Sequence, residues 1–108
     1  MASPAYRDGG LIVITFDEGS DPAACCGETS GLSPSHPDVL LPGKSGPGGG
    51  RVGAVLLSPL IRPGTISTTD YNHYSLLRTV EDIFGLTHLG DAAMAQVKPF
   101  GPDIFGDG

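Results

Sequence analysis

The chain has 108 residues, room for one small domain. Its formal net charge is −6 and its isoelectric point is about 4.6. Its six Lys and Arg residues are scattered, which argues against nucleic-acid binding through a clustered basic surface. An acidic balance suits a cation better. No apolar run approaches the roughly 20 residues of a membrane-spanning helix. The start, MASPAYRDGG, lacks the charged and apolar regions of a signal peptide. Glycine (17) and proline (10) make up a quarter of the chain, about twice their usual share. The apolar residues gather in three segments. The composition therefore predicts a few strong elements joined by long loops, with little core of their own.

The first element is LIVITF, Leu11 to Phe16. It has β-branched residues on both faces and no polar alternation, the pattern of a strand covered on both sides in an α/β sheet. Gly9-Gly10 precede it, and Asp17-Glu18-Gly19 end it. Two adjacent carboxylates repel each other and resist dehydration, so they need compensation. Ligands in open α/β sheets sit at the carboxyl ends of strands, and hard divalent cations take oxygen ligands. Asp17 and Glu18 are therefore candidate metal ligands. Neighbours on a strand point to opposite faces, so both reach one ion only if the chain turns at Asp17. The alternative is a pair of solvated turn residues.

Residues 19 to 50 carry no periodicity, and their length makes a functional or disordered loop the expectation. Gly43-Lys44-Ser45 does not make a phosphate-binding loop. The upstream glycine is missing, and PGKSGPGGG cannot open a helix. Cys25 and Cys26 are too few for a structural zinc site. They read as a structural feature of the loop, as free thiols, or as a strained disulfide between neighbours. His36, in the same loop, could reach a metal or be an ordinary surface histidine.

RVGAVLLS, Arg51 to Ser58, is predicted as a second doubly covered strand, ended by Pro59 and the Arg62-Pro63-Gly64 turn. A polar connection over 65 to 72 leads to YSLLRTVEDIF, Tyr74 to Phe84. There Leu76, Leu77, Val80, Ile83 and Phe84 make one helical stripe, predicted to be buried. Arg78 and Asp82 are spaced to pair along the polar side. Asp70 or Asn72 can cap the start, Gly85 suits the end, and Leu86 could close it with an apolar contact. His73, at the helix start, could hydrogen-bond an amide or a substrate oxygen, or serve as a capping residue. His88 follows the helix. Asp91 to Gln96 predict a weak helical turn. KPFGPDIFGDG predicts an extended tail with Phe100, Ile104 and Phe105 free to pack on a neighbour.

GGLIVITFDEGSD, then GGGRVGAVLLSPLIRPGTI, then YNHYSLLRTVEDIFGL together resemble the C-terminal part of the bacterial phosphoesterase family. That family includes acid phosphatases and phospholipase C-like enzymes of the alkaline phosphatase-like superfamily. The resemblance spans about residues 4 to 105. It implies an α/β fold, a mixed sheet flanked by helices, of which residues 1–108 form a single, partial domain. It implies hydrolysis of a phosphate-ester substrate with a divalent metal ion, and it places the family's acidic metal-binding pair on Asp17 and Glu18. The family's Ser or Thr nucleophile lies in an N-terminal part, which makes that part a potential partner of this stretch. Some relatives carry a DEHGG-type stretch after the acids, whereas here it reads GSDPAACCGE. The rival expectation is a non-catalytic remnant or interaction module that keeps the fold.

Overall fold

The structure is a computed structural model and describes residues 1–19 and 50–106. The proline-rich loop, Cys25, Cys26, His36 and the Gly43-Lys44-Ser45 tripeptide lie outside the described residues. The described elements run α1 (Pro4–Arg7), β1 (Ile12–Thr15), β2 (Ala54–Leu57), α2 (His73–Phe84), a 3-10 turn (Gly90–Ala93) and α3 (Pro102–Phe105). Helices with one strand pair are compatible with the expected α/β class.

The turn α1 was not anticipated from the sequence. Ser3 caps it by accepting the Tyr6 amide hydrogen at 3.3 Å, and Pro4 occupies the first turn. The chain then reverses through Gly9, at φ +100°, and Gly10 lies directly against α1.

β1 and β2 pair antiparallel, with Ile12 opposite Leu57, Val13 opposite Leu56, Ile14 opposite Val55 and Thr15 opposite Ala54. Both strands fall where the apolar runs predict them, and among the described residues one face of the pair stands open. Opposed residues share a face, so Ile12, Ile14, Val55 and Leu57 lie on one side. Ile14 and Val55 are more than half exposed there. Val13 and Leu56, on the other side, are half-buried. Apolar composition alone cannot tell a doubly covered strand from one whose apolar face stands open.

In α2, Asn72 accepts the Ser75 amide hydrogen at 3.0 Å, while Ser75 Oγ accepts the Asn72 amide hydrogen at 3.1 Å. This is a reciprocal cap. Gly85, at φ 64°, ends the helix. The Leu86 amide hydrogen returns to Glu81 O at 2.8 Å and that of Gly85 to Asp82 O at 3.2 Å. Leu86 thus closes the helix through its backbone, and its side chain is exposed.

The burial of α2 is the reverse of what its apolar stripe predicts. Leu77, Val80, Ile83 and Phe84 are exposed, whereas Ser75, Thr79 and Glu81 are buried. The polar face packs on the irregular segment from Leu89 to Gly101. That segment has no ladder for its main-chain groups, so side chains must satisfy them. Arg78 Nη1 donates to Ala92 O at 3.1 Å and to Met94 O at 3.0 Å. Glu81 Oε1 accepts the Leu89 amide hydrogen at 3.0 Å, and Thr79 Oγ1 accepts that of Phe100 at 2.8 Å. Arg78 is thereby drawn away from Asp82, and Asp82 pairs with His88 at 2.6 Å instead.

The expected extended tail is also corrected. Pro102–Phe105 forms the short helix α3, Ile104 is buried, and the Phe100 ring packs edge-on against Tyr71 with centroids 5.0 Å apart. Ala92, Val97 and Ile104 make the small apolar core among the described residues. Among the described elements two pairs pack directly, β1 with β2 and α2 with the 3-10 turn.

Candidate functional site at the end of the first strand

β1 ends at Thr15, whose Oγ1 donates to Gly53 O at 2.9 Å and holds the end of β1 to the segment that leads into β2. The backbone then leaves the sheet and bends at Asp17 and Glu18. That bend is the condition under which neighbouring acids can turn toward one ion. Asp17 Oδ1 accepts the Glu18 amide hydrogen at 3.0 Å, a local bond that steadies the turn. Both side chains are exposed, so their charges are hydrated and available.

The structure brings a second predicted residue to this turn. His73, the first residue of α2, places Nε2 2.9 Å from the main-chain oxygen of Asp17. A carbonyl oxygen only accepts, so Nε2 must carry the hydrogen. In the neutral ring, Nδ1 is then the lone-pair atom. It can accept a hydrogen bond, and it cannot donate one to an anionic phosphoryl oxygen. His88 is not part of this site. It sits beyond the far end of α2, a helix of 12 residues and so roughly 18 Å long.

Among the described residues no three or more His, Cys, Asp and Glu side chains gather as a metal-binding group. Asp17 and Glu18 fit a hard divalent cation in kind, because both offer carboxylate oxygens and Asp17 keeps Oδ2 beyond the bond to Glu18. They supply only part of the six or more oxygens that such an ion takes.

A further cluster has no local signature in the sequence. Tyr71 OH donates to Asp103 Oδ1 at 2.7 Å, Ser67 Oγ donates to Asp103 Oδ2, and the Gly101 amide hydrogen reaches Tyr71 OH at 3.2 Å. The hydroxyl groups of Ser67 and Tyr71 hold the Asp103 carboxyl below its usual range. Partial burial, followed by the bond to Asp103, pushes the Tyr71 phenol up. No local signal joins residues 32 to 36 positions apart, and only the folded chain shows this knot. It ties α3 to the connection that precedes α2.

The sequence model of the Phosphoesterase family matches residues 1–87. The chain belongs to the phosphoesterase family. No curated protein and no solved structure matches it. The phosphoesterase match takes in the strand pair, the acidic turn and the whole of α2, so Asp17, Glu18 and His73 all fall inside it. The segment that the polar face of α2 grips, from Leu89 onward, lies beyond it. No helix among the described residues is long and apolar enough to cross a membrane.

Proposed function

We propose that this phosphoesterase-family chain contributes the acidic part of a divalent-metal site for hydrolysis of a phosphate ester. The proposed type is acid phosphatase or phospholipase C-like, on an alkaline phosphatase-like sheet of which residues 1–108 form a single, partial domain. The observation that carries the reading is the acidic bend after β1, joined at Asp17 to the start of α2 within the family-matched region. Asp17 and Glu18 are the proposed ligands. A bound cation would neutralise charge that builds on the phosphoryl oxygens and lower the pKa of a coordinated nucleophile. The chain's own residues do the rest of what is proposed for it. The Asp17–Glu18 bond holds the turn, and His73 Nδ1 stands available to a substrate oxygen that carries a hydrogen. The Ser or Thr nucleophile is assigned by the family resemblance to an N-terminal part, and that part is the proposed partner of this stretch.

The test is release of p-nitrophenol from p-nitrophenyl phosphate by the chain and by Asp17→Ala, with Mg²⁺, Mn²⁺, Ca²⁺ and Zn²⁺ in turn. Metal-dependent release that disappears in the variant supports the reading. Its absence with every metal at high protein concentration rules out catalysis by the chain alone, as expected if the nucleophile lies in the N-terminal part, and Mn²⁺ binding that is unchanged in Asp17→Ala overturns the metal site. The second reading, an interaction module that keeps the fold, is favoured by the open apolar faces of the strand pair and α2.

A further inference from the structure

We infer that His73 is a positioning residue, which ties α2 to the acidic turn and fixes the Asp17–Glu18 backbone for cation binding. The inference rests on the proposed metal site and adds a role for the Nε2 side of the ring. β1 packs with β2, and α2 packs with the 3-10 turn. The bond from His73 Nε2 to Asp17 O spans these two units, across 56 positions of sequence.

Its placement gives it leverage. Asp17 and Glu18 are exposed and lie outside the strand ladder, so their neighbours in the sheet do not fix them. Their local bond orders one amide against one carboxylate but not the turn against the rest of the chain. His73 supplies that second restraint, and it does so from a capped helix. The Asn72–Ser75 reciprocal cap fixes the backbone on both sides of His73. A ligand pair held in advance loses less freedom on binding an ion. Groups that orient metal ligands typically contribute about 10- to 100-fold in affinity. A ring donor acting on a ligand's own carbonyl belongs at the lower end of that range.

Gln is the conservative replacement, because its side-chain amide can donate from nearly the position of Nε2, whereas Ala cannot. Two readouts separate this inference from the metal reading. Mn²⁺ binding, followed by electron paramagnetic resonance, should weaken about tenfold in His73→Ala and stay within about threefold of the parent in His73→Gln. It should be lost in Asp17→Ala. Without metal, the ¹⁵N order parameter of the Glu18 amide should fall below about 0.6 in His73→Ala and recover in His73→Gln, while the α2 amides stay rigid.

Equal Mn²⁺ affinity in His73→Ala and the parent, with binding lost in Asp17→Ala, overturns the positioning role. Mn²⁺ binding that ignores Asp17→Ala, or is absent from the parent, overturns the metal reading instead. The order parameter then decides the role of His73 by itself. An unchanged Glu18 value in His73→Ala overturns it.

Discussion

Thr79 joins α2 to the C-terminal segment through one oxygen. Its Oγ1 accepts the Phe100 amide hydrogen at 2.8 Å and donates to Ser75 O one turn back at 2.7 Å. The hydroxyl is therefore used in both directions, and Thr79 is almost fully buried. This contact and those of Arg78 and Glu81 explain why the polar face of α2 turns inward.

Removing the acceptor while keeping the shape isolates that bond. Thr79→Val should destabilise the chain by about 1–3 kcal/mol, because the part-buried Phe100 amide is left without a partner. Thr79→Ser keeps the oxygen and should cost less. Urea unfolding of the two variants measures the difference, and equal midpoints would remove the hydroxyl from the stability argument.

Gly10 is required by close approach. A Cβ there would lie 2.7 Å from Ala5 O and 2.8 Å from Tyr6 Cα, and neither backbone atom can swing aside. Gly10→Ala should destabilise by about 1–3 kcal/mol, the usual cost of overpacking. Gly53→Ala is the control, since nothing lies within 4 Å of a Cβ there. Thermal unfolding should show a lower midpoint for the first variant and a nearly unchanged one for the second.

The Asp103 knot predicts a pH dependence. The Asp103 pKa is lowered by Ser67 and then by Tyr71, from an ordinary value of 3.8. Its stabilising contribution is therefore complete above about pH 4 and is lost as pH falls through the depressed folded value. The Tyr71 pKa is raised from 10.0, so its contribution is present below that value and is lost as pH climbs through the folded one. Because Asp103 is exposed, the acid effect should be modest. Melting curves of Asp103→Asn should fall less steeply than those of the parent below pH 4. Tyr71→Phe should flatten the alkaline side. Parallel slopes for parent and Asp103→Asn would exclude the knot as the source.

The open apolar faces predict dye binding. Ile14, Phe16, Val55, Ile83 and Phe84 are all more than half exposed, and clustered exposed apolar side chains offer a dye a surface to bind. The chain should enhance 8-anilinonaphthalene-1-sulfonate fluorescence. Ile83→Gln with Phe84→Gln should reduce that signal with a stability change near 0.5 kcal/mol or less per site, as for other surface positions. A parent chain that leaves the dye dark would mean that these faces are covered in solution.

Local chemistry made much of the chain legible. Leu11 to Phe16 and Arg51 to Ser58 announce strands because they are short apolar runs without helical spacing, bounded by Gly and Pro. The bounds of α2 follow from Asn72 and Gly85, because caps act within one turn. The acidic pair was visible because charges are rare at the end of an apolar strand. What the sequence could not decide was direction. Period alone marks Leu77, Val80 and Ile83 as one face, but which face is covered depends on what packs there. Here the main-chain groups of Leu89 to Gly101 demand polar partners and take the other side. The meeting of His73 with Asp17, and of Tyr71 with Asp103, is likewise a property of the tertiary structure. A hydrogen bond acts over about 3 Å in space, whatever the separation along the chain, and only folding sets that distance.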